Sequence, residues 1–95
     1  MRVYYVYILK CSDNSYYTGI TNNLEQRLTQ HHNGIDTKAY VYKRRPVHLV
    51  WSADFTNPNK AIEIEKQIKG WSRRKKEALI SGSFELLPSL SKKKF

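Results

Sequence analysis

Glu65 stands where a helix would carry an apolar side chain. With Ala61 set at zero and about 100° per residue, Ile68 falls at about 340°, Ile64 at about 300°, Trp71 at about 280° and Ile62 at about 100°. Glu65 falls at about 40°, inside that arc, whereas Glu63 falls at about 200°, in the solvent sector with Lys66 and Gly70. A carboxylate aimed at a core costs several kcal/mol unless it is paired, hydrogen-bonded or bound to a metal. A structural ion pair with a buried arginine accounts for it as well as a metal does.

A second stretch carries a matching oddity. With Leu24 at zero, Leu28 falls at about 40°, His31 at about 340° and Arg27 at about 300°, so Arg27 and His31 are i, i+4 neighbours at the edge of a buried face. An inward-leaning guanidinium can clamp a phosphate or a carboxylate bidentately; pairing with Glu65 is the plainer alternative. His31 and His32 have no cysteine or helical glutamate beside them and make a weak zinc signal. Tyr4, Tyr5, Tyr7, Tyr16 and Tyr17 crowd into one short region. Packing explains most strand tyrosines, although a phenol can serve as base or nucleophile when cations or a metal lower its pKa from about 10. Gly19 marks a point of close approach. The basic runs Lys43-Arg44-Arg45 and Arg73-Arg74-Lys75-Lys76 suit a phosphate surface. The second run sets four cations at a helix N-terminus, where the macrodipole disfavours them, and nucleic acid is the simplest compensating partner.

The elements that must position these groups are legible from pattern. Residues 3–10 are rich in Tyr, Val and Ile and read as a strand. Residues 12–15 are turn chemistry, and residues 16–20 return. A three-residue loop of Ser12-Asp13-Asn14, with Asn14 left-handed, sets Leu9 opposite Tyr17 and Tyr7 opposite Gly19, and so puts both tyrosines on one face. A two-residue Asp13-Asn14 loop would split them. Lys10 has the opposite parity to Tyr7 and stays outside the core set. A helix follows, with Asn22 and Glu25 in capping-box spacing and Asn33-Gly34 as its stop. Residues 35–46 are the least readable. Residues 47–53 read as a third strand, and Asn57-Pro58 opens a second helix that Gly70 weakens. Ser72 caps a third helix over 73–80, stopped by Gly82. The order is β-β-α-β-α-α, an α+β arrangement within residues 1–82, with a frayed basic tail over 83–95.

The chain has 95 residues and a formal net charge of +9, from 17 Lys+Arg against 8 Asp+Glu. Its length allows one modest core and no second domain. The charge points to nucleic acid or anionic lipid. No apolar run approaches the ~20 residues that span a bilayer, and residues 3–9 are too short and tyrosine-rich for a secretory signal. Cys11 is the single cysteine, which excludes an internal disulfide and a cysteine zinc cluster and sets a reduced, cytoplasmic location as the expectation.

Tyr5-Val6-Tyr7, nine residues, Tyr17-Thr18-Gly19, and then Arg27 ten residues after Tyr17 together resemble the GIY-YIG nuclease superfamily. Residues 61–80, with Glu65-Lys66-Gln67-Ile68-Lys69 and Trp71-Ser72-Arg73, resemble its small stand-alone bacterial members. The resemblance covers residues 3–80. It implies a three-stranded antiparallel sheet flanked by helices, and metal-dependent hydrolysis of phosphodiester bonds with one divalent cation, Mg²⁺ by preference. It assigns Tyr7 and Tyr17 as the motif tyrosines, Arg27 as the arginine that steadies the scissile phosphate, and Glu65 as the metal ligand. His31 matches a histidine used in some branches, and Lys10 a lysine used in others. Tyr5 stands where the first motif has glycine, and Thr18 where the second has isoleucine; neither position holds a chemical role. Tyr7 is the expected base, and Tyr17 positions water or phosphate. The expected partner is DNA in preference to RNA, met through Lys43, Arg44, Arg45, Arg73, Arg74, Lys75 and Lys76. A nucleic-acid-binding module with little or no turnover is the alternative reading.

Overall fold

The computed structural model describes residues 2–35 and 38–82; the expected basic tail, 83–95, lies outside them. Three strands, β1 (Tyr4–Lys10), β2 (Tyr16–Thr21) and β3 (His48–Phe55), form one antiparallel sheet in the order β2-β1-β3. Three helices, α1 (Leu24–Asn33), α2 (Pro58–Lys69) and α3 (Arg73–Ser81), complete the expected β-β-α-β-α-α order, with one 3₁₀ turn at Tyr42–Arg44.

Asn14 adopts φ 72°, so the hairpin takes the three-residue loop, and its register pairs Tyr7 with Gly19 and Leu9 with Tyr17. Side chains alternate across a strand, and the two faces of β1 therefore build two cores. Val6 and Ile8 pack with Phe55, Ala61, Ile64, Ile68, Ala78 and Leu79 beneath α2 and α3. Tyr7 and Leu9 pack on the other face with Cys11, Val41 and Val47, flanked by Leu24 and Leu28 of α1.

The helix ends follow their chemistry with one displacement. The α1 cap is Asn23, whose side chain accepts from the Gln26 backbone N–H; the Asn22–Glu25 box expected from spacing does not form, because Asn23–Gln26 offers the same three-residue interval one position on. Gly34, at φ 65°, ends α1. Asn57 accepts from the Asn59 and Lys60 backbone N–H groups before Pro58, and Ser72 caps α3 through the Lys75 N–H. Strand β3 runs to Phe55, two residues beyond the expected end, because Asp54 and Phe55 continue the ladder with Tyr5 and Tyr4. A bulge opposite Ile8 and Leu9 absorbs the mismatch at its start. Within 35–46, the described residues turn at Tyr42–Arg44 and pass through a cis Arg45–Pro46 bond. Arg44 holds this segment by donating to the Tyr40 carbonyl and to Asp13, and Arg45 by donating to the Tyr42 and His32 carbonyls.

Candidate active site

Tyr7 is fully buried on the central strand, and its ring lies over Gly19 of β2. A Cβ added at Gly19 would sit 2.5 Å from both Cζ and the hydroxyl oxygen of Tyr7. The missing side chain thus lets the phenol extend across the edge strand. There its hydroxyl lies 3.0 Å from Nε2 of His31. The Tyr17 ring is 6.3 Å from that of Tyr7 and 5.6 Å from the His31 imidazole, edge-on to the latter. Two strands and one helix therefore bring Tyr7, Tyr17 and His31 into a single contact group, with Arg27 one turn before His31 on the same face of α1.

The electrostatics of the group follow from burial. Burial first, then the neighbouring Tyr17, push the Tyr7 pKa up to about 12, against the opposing pull of the Arg27 guanidinium. The phenol is protonated at neutral pH. His31 is pushed below 6.5, by burial and then by the charges of Arg27 and His32, so its imidazole is neutral at that pH. With both groups neutral, Tyr7 O–H donates and Nε2 accepts.

Glu65 is 7 % exposed and Glu63 is exposed, as the helical angles require. The partner of Glu65 differs from the arginine that spacing suggested. The partner is Lys69, one turn along α2, at 2.8 Å, and not Arg27, because α2 covers the sheet face opposite α1. Burial is the largest cause of the raised Tyr7 pKa and the Glu65 charge the smallest, and the Lys69 pKa is raised first by its hydrogen bond to Glu65 and least by Tyr17. The i, i+4 spacing of Lys69 to Glu65 is the signal in the sequence for this pair.

Among the described residues no group of three His, Cys, Asp or Glu side chains could enclose a metal. A hydrated hard cation asks for less, since Mg²⁺ commonly binds through one or two carboxylates, waters and substrate phosphate. Glu65 fits that demand: it sits on the buried face of α2, and its present partner is a side chain 56 % exposed that can turn into solvent.

The basic runs divide by role. Arg44 and Arg45 brace the 38–46 segment, lying 3.9 Å over the Tyr40 ring and 4.4 Å over the Tyr42 ring respectively. Arg73 stacks 4.5 Å over Tyr16, pairs with Glu77 at 3.2 Å and donates to the Asn14 carbonyl. Lys43, Arg74 and Lys75 are exposed, and Lys76 is half-buried. Tyr40 and Tyr42 escaped sequence reasoning, although aromatics interleaved with a basic run are a usable signal.

A family model described as the GIY-YIG catalytic domain matches residues 3–78. The chain is 44% identical over 81 residues to UPF0213 protein SSP2268 of Staphylococcus saprophyticus, a match covering 85% of this chain and 98% of the relative. It is 51% identical over 77 residues to UPF0213 protein CPE1444 of Clostridium perfringens, covering 81% and 82%. Two solution NMR structures share the fold. UPF0213 protein BH0048 of Bacillus halodurans has a TM-score of 0.56 at 40% identity, over 83% of each chain. Protein EF2693 of E. faecalis has a TM-score of 0.62 at 34% identity, over 90% of each. A catalytic-domain match over most of the chain, joined to the tyrosines, arginine and buried glutamate just located, makes this chain a member of the GIY-YIG family.

Proposed function

We propose that this chain is a metal-dependent endonuclease that hydrolyses phosphodiester bonds in DNA. The observation that carries the reading is the Tyr7–His31 contact at 3.0 Å, a proton path with Arg27 beside it. Arg27 binds a non-bridging phosphate oxygen and stabilises the charge that grows there in the transition state. Tyr17 holds the attacking water or the phosphate in line. As the water oxygen bonds to phosphorus, its proton passes to the Tyr7 oxygen, while the Tyr7 proton moves to Nε2 of His31. The bond from phosphorus to the leaving deoxyribose oxygen breaks, and that oxygen takes a proton from solvent. Glu65 would hold the divalent cation, Mg²⁺ by preference, which when bound would neutralise the phosphate and stabilise the leaving oxygen. Exposed cations on α3 and in the 43–45 run draw the polyanion in.

Purified protein incubated with branched, nicked and single-stranded DNA, in Mg²⁺ and in EDTA, tests the reading. Cleavage in Mg²⁺ and none in EDTA is the expected result. Salt-sensitive binding without cleavage in any metal would make the chain a binding module, the reading favoured by the Lys69 ammonium seated on Glu65.

A further inference from the structure

We propose that a cavity beside the active site holds one unpaired nucleobase, so that the DNA this chain cuts must carry an unstacked nucleotide next to the scissile phosphate. The proposal rests on the nuclease reading above and names its substrate class.

The cavity measures about 370 Å³, within the range of about 300–1,000 Å³ typical of small-ligand sites. Tyr17, Arg27 and His31 line it together with Ala39, Val41 and Tyr42. Three of these belong to the catalytic group, so whatever fills the space is adjacent to the phosphate that Arg27 holds. A base still stacked and paired in duplex cannot enter such a space; it must first leave the stack.

The wall chemistry matches a flat heteroaromatic ring. Tyr17 and Tyr42 supply aromatic surface, Ala39 and Val41 aliphatic surface, and the amide of Gln30, also in the lining, can donate to and accept from the edge of a base. Single-stranded bases are bound in this way, by stacking on aromatic rings together with hydrogen bonds to their edges. Both aromatic walls are braced. Tyr17 stacks on Tyr40 with centroids 5.8 Å apart and planes 24° apart. Arg44 lies over Tyr40 and is anchored at 3.0 Å to Asp13, and Arg45 lies over Tyr42. The guanidiniums of the 43–45 run thus hold the rings in place, a role that phosphate binding does not explain.

The test measures binding of the intact protein, at one salt concentration, to three labelled DNAs: a single strand, the same strand in blunt duplex, and that duplex with one unpaired nucleotide. The single strand and the unpaired duplex are expected to bind about tenfold or more tightly than the blunt duplex. Tyr42→Ala should lower affinity for the unpaired duplex by about 5- to 100-fold, and Tyr42→Phe should restore it. Ala39→Leu fills the cavity and should reduce the preference to less than about twofold. A 2-aminopurine at the unpaired position should change its emission on binding to wild type and not on binding to Ala39→Leu. Circular dichroism checks folding, and if Ala39→Leu does not fold, the Tyr42 pair and the wild-type emission change decide. Equal affinities for all three DNAs, or a preference that survives Tyr42→Ala, would overturn the proposal. Metal-dependent cutting of blunt duplex with no preference would overturn the cavity proposal alone, whereas absence of any DNA binding would remove the nuclease reading with it.

Discussion

Tyr7 and Gly19 are register partners on adjacent strands, and the phenol of the first occupies the side-chain space of the second. Gly19 does not serve a left-handed turn here; it clears a path for a ring. Gly19→Ala would place a methyl 2.5 Å from Cζ and the hydroxyl oxygen of Tyr7, a fully buried ring that yields little. We expect a loss of about 1–3 kcal/mol in stability and a far larger loss in cleavage, because Tyr7 can no longer reach His31. Melting temperature and cleavage rate measured on one preparation check this. A folded Gly19→Ala protein with wild-type turnover would disprove the role given to Tyr7.

Glu65 and Glu63 should behave oppositely although they are two residues apart. Glu65→Gln is expected to abolish Mg²⁺-dependent cleavage and leave DNA affinity unchanged or slightly raised. Its stability should change by less than about 1 kcal/mol, since Lys69 is 56 % exposed and rehydrates when its partner is lost. Glu63→Gln should alter either quantity by little, within about 0.5 kcal/mol in stability. Lys69→Ala frees the carboxylate and should lower the Mg²⁺ concentration at half-maximal rate. Destabilisation of Glu65→Gln by about 3–5 kcal/mol, beside a wild-type protein that never cuts DNA, would identify a structural ion pair.

Cleavage should fall on the acid side with a midpoint below 6.5, because His31 accepts a proton only while neutral and its pKa is lowered. His31→Ala should remove that limb and reduce the rate by about 10²–10⁴-fold. The same shift acts on stability: the fold disfavours imidazolium, so the contribution of His31 is present above 6.5 and declines as pH falls. Tyr7 works in the other direction. Its raised pKa gives a contribution present below 10 that is lost as pH rises toward about 12. Rate–pH profiles and a tyrosinate absorbance titration measure these effects.

How far pattern alone reached depended on whether local chemistry decided the outcome. Asn14 tolerates a left-handed backbone, which selected the loop, the register and the shared face of Tyr7 and Tyr17. The 3.6-residue period separated Glu65 from Glu63. The period could not say which face of the sheet α2 would cover, so Arg27 looked available to Glu65 when Lys69 was its neighbour. The 38–46 segment has no period because its conformation is held by Arg44 and Arg45 donating to carbonyls, bonds between side chain and backbone that leave no trace in hydrophobic spacing.

Binding to duplex DNA should be electrostatic. Contact with ~5 phosphates gives a slope of about −4 to −5 in log K against log salt. Arg74→Ala with Lys75→Ala should reduce affinity and slope together without loss of fold, since both side chains are exposed. Arg73→Ala should also weaken the contact of α3 with the hairpin, where Arg73 touches Tyr16 and Asn14. A flat salt dependence would rule out nucleic acid as the partner.

Thr18 faces the core beneath α2, 2 % exposed, and among the described residues its hydroxyl has no hydrogen-bond partner. A buried unsatisfied hydroxyl costs about 1–3 kcal/mol. Thr18→Val should therefore raise the melting temperature, by about 4–8 °C for each kcal/mol recovered, and leave cleavage unchanged. A lower melting temperature would mean that the hydroxyl is satisfied.

Helix α1 carries both Arg27 and His31, yet none of its residues is fully buried, whereas α2 buries Ala61, Ile64, Glu65 and Ile68. Leu24 and Leu28 are its main purchase on the sheet. The free energy needed to detach α1 is accordingly smaller than that needed to unfold the chain. Detachment would take the arginine and the proton acceptor away from Tyr7 while the core beneath α2 and α3 stayed whole. On the proposed nuclease reading, catalytic competence and global folding are then separate equilibria, and a fold that melts late can still lose its chemistry early.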